Sequence, residues 1–252
     1  WSSDVCSSDL IAVEGSGNVY ITDSTMQRIR RIDAATGVIT TIAGGGRPAF
    51  GNGDDGPAAG AALSTPQGRV AIDRIGNIYI ADRYNYAVRK IDAVSKVITT
   101  VAGTGSLSPE GSVLATEVVV QPDAVAVDRK NNLFIAESDF GRVRKVDLLT
   151  GLITVFAGGG AAGRIGDNGP ATEANLGSYL RLAVDASDNL YIADVDNNRV
   201  RKVEASTGII TTVAGGGATY VEGGVARSVR LIPLSIDVDS AGNLYIVDYN
   251  YP

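Results

Sequence analysis

The chain has 252 residues, 31 of them Gly, with aromatics at only 6% and a net charge of −6. The acidic balance excludes the positive footprint of a nucleic-acid binder, and the absence of histidine removes imidazole as base and as ligand, and with it Ser-His-Asp triads and His-based zinc sites. The single cysteine, Cys6, cannot close an internal disulfide. No apolar run approaches the ~18 residues of a membrane span, so no membrane insertion is expected.

Residues 1–9, "WSSDVCSSD", hold the only Trp and the only Cys and do not match the pattern of the chain from Leu10 onward. They read as a non-native junction or as a divergent N-terminal segment, and they are set aside from the fold.

Beginning at Leu10, one phrase is written five times: "NVYITD" to Asp23, "NIYIAD" to Asp82, "NLFIAE" to Glu137, "NLYIAD" to Asp194 and "NLYIVD" to Asp248. A period of more than fifty residues with alternating apolar positions announces a repeat architecture. Each unit opens with a short strand ending in an acid, as in "RVAID" (69–73) and "RLAVD" (181–185). A turn leads to the second strand, which carries the phrase, and a polar loop leads to the third: "RIRRID", "AVRKID", "RVRKVD" or "RVRKVE". A turn such as "AATG" or "ASTG" reverses the chain into the fourth, "VITTIAG" and its relatives. Val, Ile, Thr and Tyr dominate these runs with period two, as half-buried strands prefer. Four antiparallel strands per unit describe a β-propeller blade. The predicted fold is all-β, with blades at 10–46, 63–105, 120–160 and 176–217 and a partial fifth at 231–252. Two strands of that fifth blade are missing, so the expected ring is an open fragment of a longer chain.

Long Gly-rich connectors join the units, and two share a core, "GNGDDGPAAGAAL" (51–63) and "GDNGPATEANL" (166–176). Connections of more than about 12–15 residues inside compact domains are usually functional or disordered, and recurrence at equivalent places argues against disorder throughout.

The order Pro-x-x-Val-Ala-Val-Asp, Asn-Leu-Tyr-Ile-Ala-Asp, Arg-Val-Arg-Lys-Val-Asp, Thr-Gly-x-Ile-Thr-Thr-Val-Ala-Gly resembles NHL repeats across residues 10–252. The "GDNGPATEANL" connector is similar to that of bacterial surface or secreted NHL proteins and of the NHL domain of teneurins. The resemblance implies a six-bladed type of propeller that serves mostly as a binding platform, in a minority of members as an enzyme. Fold alone does not choose between these.

The acids closing the second strands recur once per blade. As a ring of carboxylates they could hold a cation such as calcium with oxygen ligands. Equally, each could accept backbone N–H bonds or pair with the arginine seven residues on: Arg30, Arg89, Arg144 and Arg201. The "GDDGPA" and "GDNGPA" segments mimic part of a calcium loop but lack its full spacing, and Asp-Gly-Pro is ordinary turn chemistry. The Arg-x-Arg-Lys strands alternate with Ile and Val, as solvated strand faces do.

Positions that differ between blades on the second-to-third-strand loops are more informative. Tyr84, Tyr86, Asp139, Phe140, Asp196, Asn197, Asn198, Tyr249 and Tyr251 would gather aromatic and polar groups at one end of the blades, suited to a protein, peptide or glycan. Tyr packing between blades is the competing reading. The expectation is therefore a non-catalytic extracellular binding propeller with neighbouring domains, without nucleic acid and without a resident cofactor. The alternative is a metal-dependent hydrolase or lyase of the gluconolactonase-like class on an all-oxygen calcium site.

Overall fold

The computed structural model describes residues 10–47, 52–104, 114–161 and 165–249. The segment 1–9 and Tyr251 lie outside the described residues. Two compact units are present: one is Leu10–Ile135 with Val146–Ile153, and the other includes Ala136–Lys145 and the chain from Thr154 onward.

Every repeat forms the antiparallel meander that its period-two pattern predicts. The first sheet has the order β1 (Ile11–Val13), β2 (Val19–Asp23), β3 (Arg28–Ile32), β4 (Ile39–Gly44). The second has β5 (Pro66–Ile72), β6 (Ile78–Asp82), β7 (Ala87–Ile91), β8 (Ile98–Ala102). The third has β9 (Ala124–Val127), β10 (Asn132–Glu137), β11 (Arg142–Asp147), β12 (Ile153–Gly158). In the fourth, a short strand β13 (Gly169–Pro170) lies outside β14 (Leu180–Val184), β15 (Leu190–Asp194), β16 (Arg199–Val203) and β17 (Ile209–Gly215). The last repeat forms a pair, β18 (Pro233–Val238) and β19 (Leu244–Asp248).

The recurrent phrase is explained by its hydrogen bonds. Asp73 closes the first strand of its sheet, and its Oδ1 accepts the Asn77 backbone N–H at 2.9 Å while Oδ2 accepts Asn77 Nδ2 at 2.8 Å and the Tyr79 hydroxyl at 3.1 Å. Asn77 Oδ1 then accepts the Ala93 N–H from the neighbouring hairpin at 2.9 Å. The same bridge joins Asp185, Asn189 and Ala205. Asn opens the phrase because its amide ties two turns of one sheet together. Apolar positions between these polar points build the core: in the first unit Tyr20, Ile29, Leu63, Ile80 and Ile98 form one buried cluster, and in the second Tyr191, Val200, Leu231 and Ile236 form another. Each fully buried aliphatic side chain contributes about 1.5–3 kcal/mol.

The turn entering each third strand holds one residue in the left-handed region: Gln27, Tyr86, Gly141 and Asn198, all with φ of 49–55°. The carbonyl of that residue presses on the glycine ending the fourth strand. A Cβ on Gly44, Gly103, Gly158 or Gly215 would overlap it, which is why each fourth strand ends in Ala-Gly.

The connectors do more than span a gap. β13 pairs with β17, Gly169 opposite Ile210 and Pro170 opposite Ile209, and in the equivalent place Pro57 bridges Val97, next to β8, while Asp55 and Gly56 bond Ile98 at its start. The connector before a blade thus docks on that blade's outermost strand.

Candidate functional site

Three of the five carboxylates that close the second strands, Asp82, Glu137 and Asp194, are buried, and Asp23 and Asp248 are half-buried. Asp82 is fully inaccessible; its Oδ1 accepts the Ser64 N–H at 2.7 Å, and its Oδ2 accepts Asn85 Nδ2 at 2.9 Å and Arg89 Nη1 at 3.3 Å. Asp194 repeats the pattern, accepting from Gly177 N at 2.9 Å and Asn197 Nδ2 at 2.8 Å, with Arg201 Nη1 at 3.6 Å. Burial pushes both carboxyls above their ordinary pKa, against the hydrogen bonds and the arginine that pull them down. Glu137 reaches Arg144 with both oxygens, at 2.7 and 2.8 Å, and Arg142 at 2.7 Å. Asp23 accepts the Met26 N–H at 2.9 Å, and Asp248 accepts the Ile232 N–H at 2.9 Å.

The Asp-Gly-Pro connectors supply the other half of this network. Asp54 Oδ1 accepts from Arg89 Nη2 at 2.6 Å and its Oδ2 from the Thr100 hydroxyl at 2.7 Å. Asp167 does the same with Arg201 Nη2 at 2.8 Å and Thr212 at 2.7 Å. Each fully buried guanidinium lies between a strand carboxylate and a connector carboxylate. Both segments that mimic a calcium loop are turns that deliver an acid to an arginine. Among the described residues no group of three or more His, Cys, Asp or Glu is arranged to hold a metal ion.

The loop residues separate into two kinds. Asn197 Nδ2 donates to Asp194 and to the Asn175 carbonyl, and Asp196 Oδ2 accepts the Ser178 N–H at 2.7 Å, so both tie their turn to the chain leading into β14. Tyr86 is half-buried and left-handed at φ 49°. Tyr84 is 60% exposed, Phe140 50% and Tyr249 68%. Asp139 is exposed beside Phe140, whose ring carries the Arg142 guanidinium 4.8 Å from its centroid.

Within the second unit the Phe140 turn neighbours the start of β14. Leu180 N–H donates to Ser138 Oγ at 3.3 Å, and Val195 N–H donates to the Tyr179 carbonyl at 3.1 Å. Asp139, Phe140, Tyr179 and Asp196 are thereby brought onto adjoining turns. Tyr179, 51% exposed, escapes sequence reading because it precedes a first strand rather than following a second.

No family model matches the chain. It is 30% identical over 231 residues to NHL repeat-containing protein 2 of Bos taurus, covering 78% of this chain and 31% of that protein. It is 26% identical over 271 residues to Teneurin-3 of Mus musculus, covering 92% of this chain and 10% of that protein. The repeats are NHL repeats, and their sheets are β-propeller blades. The NHL chain therefore spans less than a third of the length of either relative. Among solved structures, an auxiliary nutrient binding protein of Bacteroides ovatus superimposes with a TM-score of 0.64 at 16% identity, covering 94% of this chain and 56% of that one. A nidogen/laminin complex gives 0.63 at 17%, covering 95% and 71%. A virginiamycin B lyase of Staphylococcus aureus, made catalytically inactive by one histidine-to-alanine change and solved with quinupristin, gives 0.54 at 15%, covering 96% and 70%. These likenesses carry the propeller fold.

Proposed function

We propose that this NHL propeller is a non-catalytic extracellular binding module. It takes a protein, peptide or glycan on the blade ends that carry the second-to-third-strand turns. The observation behind this reading is the division of labour among polar and aromatic groups. Carboxylates repeated in every blade are engaged with arginines and backbone amides, whereas the blade-specific Tyr84, Phe140, Tyr179 and Tyr249 stand exposed. Large rigid aromatics beside Asp139 offer contact area at low entropic cost, with a polar group to orient a partner. Similarity to a nutrient binding protein and to a nidogen/laminin complex supports a binding role. The similar lyase depends on a histidine, a residue type this chain does not contain. The resemblance of the connectors to those of surface and secreted NHL proteins supports the extracellular assignment and neighbouring domains.

The test is a glycan array and a random peptide display screen, followed by titration of any hit against Tyr84→Ala and Phe140→Ala. At least a tenfold loss of affinity with unchanged melting temperature is expected in one or both. Hits that bind both variants as tightly as the parent overturn the assignment to these turns. Turnover of a streptogramin by the parent overturns the non-catalytic reading.

A further inference from the structure

The opposite strand ends of the first unit, where first-to-second and third-to-fourth strand turns lie, enclose a cavity of about 570 Å³. Ile42, Ala58, Ile78 and Ile91 give it apolar walls, and Glu14, Arg31, Asp92 and Lys96 line it with charge. Apolar enclosure with a few convergent polar groups is the usual make-up of a small-ligand site.

Departures from the repeat gather at this cavity. The third-to-fourth-strand turn ends in a left-handed glycine in three sheets, Gly37 (φ 70°), Gly151 (φ 75°) and Gly208 (φ 70°), but here in Lys96 at φ 59°. The conformation is imposed: the Lys96 carbonyl accepts the Ala58 N–H at 3.0 Å, as Gly151 and Gly208 accept from Ala115 and Ala171. A side chain at this position is strained, and strain of this kind points to function when the structure holds it in place. At the tip of the first-to-second-strand turn Ile75 is 77% exposed, where the other repeats place Ser16, Lys130, Ser187 and Ala241. The wall residue Ala93 is small, as are Ala34 and Ala205 at that position in the first and fourth sheets, whereas the third sheet has Leu148 there, packed against its core.

Charge at the cavity is uneven in availability. Glu14 accepts from Ser16, Asn18 and Tyr20, and Asp92 accepts from the Val94 and Ser95 amides and the Ser95 hydroxyl. The cations retain capacity: Lys96 Nζ donates one hydrogen bond, to the Ala93 carbonyl at 2.5 Å, and Arg31, which directs Nη2 to Asp33 at 2.9 Å and also faces Glu14 and the Tyr20 hydroxyl, has further N–H groups.

We propose that this cavity binds an amphipathic carboxylate, its acyl or aryl body against Ile42, Ile78, Ile91 and Ile75 and its carboxylate on Lys96 and Arg31. A free organic acid and the C-terminal residue of a peptide share this chemistry. The site lies away from the Tyr84 turn and does not depend on the binding role given to that end of the blades.

Calorimetric titration of the whole chain with octanoate and octanamide, and with a peptide ending in leucine as the acid and as the amide, tests it. Binding of at least one acid at about millimolar or better is expected, with its amide at least tenfold weaker. Octanoate alone identifies a free acid; the peptide acid identifies a C-terminus. Lys96→Gly, which restores the turn of the sibling blades, should weaken the acid at least tenfold without lowering the melting temperature. Ala93→Leu should block binding, and if that variant does not fold, Lys96→Gly decides. No binding by either acid, equal binding of acid and amide, or unchanged affinity in Lys96→Gly overturns the proposal.

Discussion

Blades three and four solve the same problem with different parts. Both bury an arginine on the third strand opposite the acid that closes the second. In blade four the acid is Asp194, which stands 3.6 Å from Arg201, and Asp167 from the connector completes the pair at 2.8 Å. In blade three the acid is Glu137, one methylene longer, which meets Arg144 with both oxygens, and the preceding connector lacks the Asp-Gly-Pro core. Side-chain length on the strand and an acid on the connector are alternative ways of neutralising one buried cation. A buried charge left without its partner costs several kcal/mol, so one of the two must be present.

The largest effect should come from removing that cation. Arg201→Met leaves Asp194 buried without its cation and frees the connector acid; about 3–5 kcal/mol of stability should be lost, read from urea unfolding. A change under 1 kcal/mol would mean that the network is ornamental. Glu137→Asp turns blade three into a blade-four strand without the blade-four connector. The shortened acid cannot hold both guanidinium nitrogens, and a loss of about 1–3 kcal/mol is expected by the same measurement.

The smallest effect is a contrast in pH dependence. Burial raises Asp82 and Asp194 above the ordinary 3.8, so their share of stability is fullest below pH 3.8 and fades as pH rises through the raised values. The turn acids behave oppositely. Hydrogen bonds from Thr36, from Ser95 and from Asn243 hold Asp33, Asp92 and Asp239 below 3.8, so what they contribute is present above pH 3.8 and lost as pH falls through the lowered values. Urea midpoints measured across the acid range should show a shallower acid limb in Asp92→Ala and a steeper one in Asp194→Asn. The reverse result would break the distinction.

Much of this was legible in the sequence because a repeat states its rules several times. The strand–turn–strand order, the hairpin glycines and the pairing of Asp82, Glu137 and Asp194 with the arginine seven residues on follow from β-alternation. Residues seven apart across a tight antiparallel turn fall on one face of neighbouring strands. In blade one Asp23 is engaged by the Met26 N–H at 2.9 Å. The connector acids were not legible, since Asp54 and Arg89 are 35 residues apart and only the docking of Pro57 beside β8 brings them together. The loop residues were legible as a set but not by role. Asn197 and Tyr84 look alike as polar-loop positions, yet one closes its turn and the other stands in solvent.

By itself, then, the sequence determined the blade: period, strand order, turn chemistry and the excluded chemistries of histidine and cysteine, all local consequences of side-chain type and spacing. Tertiary structure decided which connector carboxylates meet an arginine, which aromatics remain outside, and that Lys96, Ile75 and Ala93 line or border one cavity. These depend on contacts between segments far apart in the chain, and no short-range pattern encodes them.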